Sequence, residues 1–265
     1  MTLLPPAIAA IALYCLASWR LGHAQSESAS RGPLLLGLLA VALHAGVHGL
    51  DIWQQRALPL QFFSALSWVA LGMAALSTGV AWSRRFEALG SLAYPLAGIC
   101  LLAFVLLPAQ RPPETLAWPL RLHALLSLLA YATLALTAAL ALLLGLQERL
   151  LRARRLDHPL LALLPPLTEL ESLMFRTLAA GFLLLTLALV LGTVFVENLF
   201  AQHLVHKTVL SVISWAVFAL LLFGRLRYGW RGRRAIRLTL AAMALLLLAF
   251  FGSKFVLELI LERSA

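Results

Sequence analysis

Trp118–Leu150 reads WPLRLHALLSLLAYATLALTAALALLLGLQERL. It carries an apolar run long enough to cross a bilayer, whose hydrocarbon core of about 30 Å takes about 20 helical residues at a rise of about 1.5 Å each. A single histidine, His123, stands about one turn inside its start, and a cluster of arginines follows its end. The arginines orient the segment, and the histidine marks a depth at which chemistry is expected.

The rest of the chain has the same character. Of 265 residues, 62% are hydrophobic and 12% charged, against about 25% charged in soluble domains. A soluble core of this size could not bury so much apolar surface, so the composition predicts a polytopic membrane protein, a single transmembrane domain over residues 1–265. Period-2 alternation is absent and the apolar runs are long, so the spans are helices rather than barrel strands. Cys15 and Cys100 lie inside apolar runs, and no CxxC or CxxCH occurs. This supports no disulfide framework, thiol-redox motif or covalent haem attachment. The amino-terminal apolar stretch has no basic residue before it and reads as an uncleaved first span.

Eight spans are predicted: Leu3–Trp19, Pro33–Leu50, Leu60–Trp82, Leu89–Leu107, Trp118–Leu146, Phe175–Val196, Val205–Phe223 and Ile236–Leu261. Gly72 and Gly79 are expected to break up the third, and Pro95 lies early in the fourth, where a neighbour must satisfy the freed carbonyl. The fifth and eighth exceed what a bilayer needs. Most of the 21 basic residues fall in the odd-numbered connections: Arg20 and Arg31; Arg84 and Arg85; Arg149, Arg152, Arg154 and Arg155; Arg225, Arg227, Arg231, Arg233, Arg234 and Arg237. Positive charge stays inside, so these connections face the cytoplasm and both termini face outward. The +10 formal charge therefore points to lipid headgroups, not nucleic acid, and GWRGRR at 229–234 reads as a headgroup anchor. In the long fifth connection, Leu164–Arg176 (LPPLTELESLMFR) is expected to form a short surface helix. Thr168 and Glu171 have capping-box spacing, and Leu167, Leu170 and Met174 share one face.

His23 and His158 fall in inner loops. The other five histidines, His44, His48, His123, His203 and His206, all fall towards the outer ends of spans two, five and seven. Imidazole in an apolar segment is expensive unless partnered, and it is a ready ligand for metals and haem iron. His44 and His48 are four apart on one helical face, so they cannot ligate one haem from opposite sides. A zinc or copper ion could take both with a third ligand. Asp51, one turn beyond His48, is a candidate supporting residue. Trp53, Phe62, Phe63, Trp118, Phe195 and Phe200 lie at the same level, as an interfacial belt or as the wall of a macrocycle slot. Arg121 and Lys207 are candidate partners for propionates or ordinary boundary charges.

The segments RLHALLSLLAYATLALTAALALLLGLQERLLR, PPLTELESLMFR, HKTVLSVISWAVFALLLFGR, GWRGRRA and FFGSKFVLELI, in this order and spacing, resemble the cytochrome c assembly (CcsA/CcmC-like) membrane family, and its YpjD/HemX branch in particular. The resemblance runs from span two to the carboxyl end. It implies haem handling at the outer face of a bacterial inner membrane. His123 matches the place where cytochrome c synthases carry an external haem-ligating histidine, and His44 the early-span histidine of the branch. The synthases have a tryptophan-rich WWD loop where this chain has VFVENLFAQHLVHKT (Val194–Thr208), and a histidine at the start of span eight that is absent here. These departures weigh against attachment of haem to apocytochrome c and leave haem binding or trafficking.

The expectation is a protein that holds or passes non-covalent, b-type haem. His44 and His123 are the axial ligands expected, His206 is a substitute, and His48 and His203 are supporting. Membrane lipid and other cytochrome c biogenesis or haem-synthesis proteins are the expected partners. A transporter subunit using the same histidines for a divalent metal is the alternative, and a scaffold docking through its arginine-rich loops a third. No serine–histidine–carboxylate set, phosphate-cradling glycine loop or HExxH marks an enzyme.

Overall fold

A computed structural model describes residues 3–23, 31–84, 86–107, 115–155, 157–158, 161, 163–195 and 205–260. Every regular element among them is helical, and eight helices are long and apolar enough to cross a membrane. They are α1 (Leu4–His23), α2 (Gly32–Gln55), α3 (Phe62–Arg84), α4 (Glu87–Leu106), α5 (Trp118–Arg152), α6 (Leu167–Phe195), α7 (Val205–Tyr228) and α8 (Gly232–Leu247). π-Helical turns at Leu248–Gly252 and Phe255–Ile260 extend α8. The chain divides into two compact units, residues 1–115 with 150–166, and residues 116–149 with 167–265.

In the first unit, α1 packs against α2 and α4, and α3 closes the ring between them. Adjacent helices run antiparallel: Ser18 meets Ser91, Tyr14 meets His44, and Thr78 meets Tyr94. The buried residues of α1 are Ala7, Ala10, Tyr14, Ala17 and Leu21, and those of α2 include Gly37, Ala40, His44, Val47, His48 and Asp51. Both sets follow the alternating three- and four-residue spacing of a helix seam. Their small residues let the backbones approach closely, the device that membrane helices use where water supplies no driving force. Pro95 sits inside α4 without ending it. It cannot return a hydrogen bond to Ser91, and the Ser18 hydroxyl donates to that carbonyl instead at 3.1 Å.

The second unit is also a ring of antiparallel neighbours. Thr137 of α5 donates to Thr177 of α6. Trp215 of α7 donates to Thr186 of α6, Ser214 of α7 to the Ala242 carbonyl of α8, and Tyr131 of α5 to the Leu246 carbonyl. That last bond, 2.6 Å long, lies just before α8 changes from α to π pairing at Leu248. At the other end Gly229 (φ 66°) reverses the chain and Trp230 folds back over Gly224, whose missing side chain makes the room. Arg225 and Arg231 reach Glu171 at 2.8 and 3.7 Å, respectively.

Two expectations from the sequence need correction. Leu164–Arg176 is not a separate surface helix, because α6 runs unbroken from Leu167 to Phe195. The reason is a single buried seam, Glu171, Met174, Leu178, Gly181, Leu185, Ala188 and Gly192, which passes through the boundary drawn at Phe175. Thr168 already lies inside the helix, and Glu171 accepts from Arg225 rather than closing a capping box. Nor do Gly72 and Gly79 break α3, which is continuous from Phe62 to Arg84.

Candidate functional site

In the first unit, the four-residue interval on α2 puts His44 and His48 on the seam, where both are fully buried. Their rings stack at 5.2 Å. Both Nε2 atoms meet one hydroxyl, Ser67 Oγ of α3, at 2.9 and 3.0 Å. His44 Nδ1 meets the Tyr14 hydroxyl of α1 at 3.3 Å. His48 is flanked by Trp68 at 4.3 Å and Phe104 at 4.8 Å, and its Nδ1 has no hydrogen-bond partner among the described residues. Asp51 accepts from Gln55, not from His48, and its second oxygen is likewise buried without a partner among the described residues.

In the second unit, His123 lies at the start of α5 against the end of α6, half-buried. Its Nδ1 is 2.8 Å from the Ala188 carbonyl oxygen. A carbonyl only accepts, so Nδ1 carries a proton, and in the neutral ring the lone pair is on Nε2. Gly192 stands four residues beyond Ala188. A Cβ there would lie 3.1 Å from His123 Cε1 and 3.4 Å from its Nδ1, so the glycine leaves room for the ring where it meets the carbonyl. The antiparallel register of α6 and α7, with Glu171 beside Arg225 and Thr186 beside Trp215, brings His206 to the Gly192 end of this unit. His206 itself is exposed. Lys207 interacts electrostatically with Lys254 and Glu258, which form an ion pair at 2.7 Å. Arg121 is exposed and donates to the Leu116 carbonyl at 2.7 Å. His203 and Phe200 lie outside the described residues.

Trp53 and Trp118 are 67% and 71% exposed, as befits an interfacial belt rather than a slot wall. Among the described residues no group of three or more His, Cys, Asp or Glu is placed to hold a metal ion.

A family model described as cytochrome C assembly protein matches residues 35–261. The chain belongs to this family. Its relatives place it in the YpjD/HemX branch. It is 35% identical over 202 residues to the inner membrane protein YpjD of Escherichia coli (strain K12), covering 76% of each chain. It is 28% identical over 193 residues to protein HemX of Brevibacillus brevis, covering 70% of this chain and 69% of that one. A shorter match, 33% identical over 89 residues, joins 33% of this chain to 28% of a cytochrome c biogenesis protein CcsA of Prochlorococcus marinus. The eight apolar helices make this member of the family a multi-pass membrane protein.

Among the residues at these sites that escaped the sequence reading are Tyr14, Ser67, Ala188 and Gly192. Ala188 acts through its backbone, which no sequence signal announces. Tyr14 and Ser67 look like ordinary members of apolar spans. A glycine inside an otherwise apolar helix does hint at a close approach, and Gly192 could have been found that way.

Proposed function

We propose that this chain binds haem non-covalently and holds or passes it during cytochrome c assembly, with His123 as the residue that would hold its iron. The observation that carries the reading is the bond from His123 Nδ1 to the Ala188 carbonyl, 2.8 Å long. It orients the ring and, in the neutral imidazole, selects the tautomer whose Nε2 can donate to iron, and outer partners of this kind orient metal-ligating histidines generally. The residues present therefore fit the group. Bound haem would supply an iron that takes a neutral nitrogen ligand. The chain itself orients the ring, and His206 at the same end of the unit is the candidate second donor. His44 could serve only after Tyr14 or Ser67 gives up its hydrogen bond, which makes it the weaker choice. Family membership and the biogenesis role in the name of the related CcsA protein support the same reading. The name of the related YpjD protein supports placement in an inner membrane, and the arginines of the α7–α8 turn support inward-facing odd connections and outward termini.

Hemin titration of the detergent-purified full chain tests it. Wild type should develop a Soret band at stoichiometric hemin. His123→Ala should weaken binding at least about tenfold, and Gly192→Val, which displaces the Ala188 bond, by roughly the same factor. Added free imidazole should restore the wild-type spectrum in His123→Ala. A wild-type protein that takes up no hemin, or a His123→Ala variant that titrates identically, would refute the proposal.

A further inference from the structure

The end of the second unit that holds His123 also holds a buried cation. Along α5 and α8, Gly145 meets Ile236 and Tyr131 donates to the Leu246 carbonyl, so the two helices run antiparallel. Eight residues back along α5 from Tyr131 is His123, and eight residues on along α8 from Leu246 is Lys254. The imidazole and the lysine therefore stand within about a turn of the same level. Lys254 lies between the π turns Leu248–Gly252 and Phe255–Ile260, and irregular turns of this kind concentrate at functional sites. It is only 9% exposed. Its ammonium bonds to Glu258 Oε1 at 2.7 Å and stands over the Phe250 ring at 5.5 Å.

Lys207 of α7 brings a second cation to this place. It is half-buried and interacts electrostatically with both Lys254 and Glu258, yet it forms no ion pair with a described residue. Two ammoniums thus share one carboxylate in a setting largely closed to water. Among the described residues Glu258 is the one carboxylate at this end of the unit, since Glu148 lies beside Gly232 and Glu171 beside Arg225 at the other. Arg121 is exposed and turned to the Leu116 carbonyl. One positive charge is left in excess where partial desolvation makes an unmatched charge expensive, and one further carboxylate would neutralise the set.

We infer, resting on the haem binding proposed for His123, that Lys207 and Lys254 form a carboxylate site that takes a propionate of that haem. Haem carries both its carboxylates on one edge of a rigid, flat macrocycle, away from the iron. An imidazole for the iron and a cationic site for the edge, at one level of one unit, fix which way round such a ligand sits. Lys254 need not leave Glu258 to take part, because an ammonium has three donors and the carboxylate occupies one. Glu258 instead holds the Lys254 ammonium in place, and Lys207 supplies the charge that Glu258 leaves unmatched. The lysines are positioning residues: they hold the edge of the ligand and do not touch the iron.

The test is a pair of titrations of the detergent-purified full chain, one with hemin and one with hemin dimethyl ester, whose two carboxylates are blocked. The quantity read is the ratio of the two dissociation constants, and comparing that ratio between proteins cancels the partition of each ligand into detergent. Lys207→Gln and Lys254→Gln should each lower the preference for hemin by at least about tenfold, losing affinity for hemin and keeping it for the diester. Lys254→Arg, which keeps the cation, should keep most of the preference. Should Lys254→Gln fail to fold, Lys207→Gln, at the half-buried position, decides the matter. His123→Ala should weaken both ligands together and leave the ratio as it was, because it removes the bond to iron and not the contact at the edge. Equal losses for hemin and the diester in the lysine variants, or hemin affinity unchanged in them, would overturn this assignment and leave haem binding at His123 standing. A wild type that takes up neither ligand would sink both.

Discussion

Gly37→Ala isolates the close packing on which the first unit depends. A Cβ at residue 37 would overlap Oη and Cζ of Tyr94 and lie 2.9 Å from its Cε2. Ordinary contact begins near about 3.5 Å, so the ring must retreat by roughly 1 Å. It has little freedom to do so, since Tyr94 is fully buried, stacked on Tyr14 and bonded to Thr78 at 3.0 Å. Overpacking of this kind costs about 1–3 kcal/mol, and loss of the Thr78 bond adds about 1 kcal/mol. Alanine returns up to about 1 kcal/mol through its better helix propensity. The net expectation is a destabilisation of about 1–3 kcal/mol, or several degrees at about 2–4 °C per kcal/mol. Gly46→Ala, on the same helix, is the control: its Cβ would meet nothing within 4 Å, so only the propensity gain remains and stability should hold or rise. Thermal unfolding of both variants in one detergent, followed by tryptophan fluorescence, gives the comparison. A Gly37→Ala protein as stable as wild type, or equal losses in the two variants, would refute the packing argument.

Ser18→Ala should cost about 1 kcal/mol, because it removes the donor to the carbonyl that Pro95 cannot serve. In a Pro95→Ala background, where the helix supplies that donor itself, the same substitution should cost measurably less in the same unfolding assay. Glu171→Gln keeps the shape beside Arg225 but removes the charge. The Glu171 side chain is only 10% exposed while Arg225 is 24% exposed, so the loss should be about 1–2 kcal/mol after allowance for partial solvation. High salt should narrow the gap between Glu171→Gln and wild type only slightly, and a gap that vanished in salt would mark the pair as a surface contact.

Much of the architecture was legible before any coordinates. Span-length apolar runs and sparse charge specify helices in a membrane, because a backbone in lipid must satisfy itself within each segment. That is why eight helices appear close to where the hydropathy put them, and why Pro95 was expected to need a neighbour's donor. The family too could be read from ordered segments of sequence. Partnership was not legible. Whether Leu164–Arg176 lies flat or continues a span depends on what its apolar face meets, and in the fold that face is one seam with Met174, Leu178 and Gly181. The histidines were conspicuous because imidazole is rare in apolar helices, but sequence spacing cannot say which atom faces which. It takes helix packing to put Ser67 between His44 and His48, and to expose the Ala188 carbonyl to His123 through the gap at Gly192. The physical reason is one of range. Hydrophobic periodicity and chain length act along a single helix and can be read from it alone, whereas a hydrogen bond reaches only about 3 Å, so its partner is settled by how helices remote in sequence come to lie against one another.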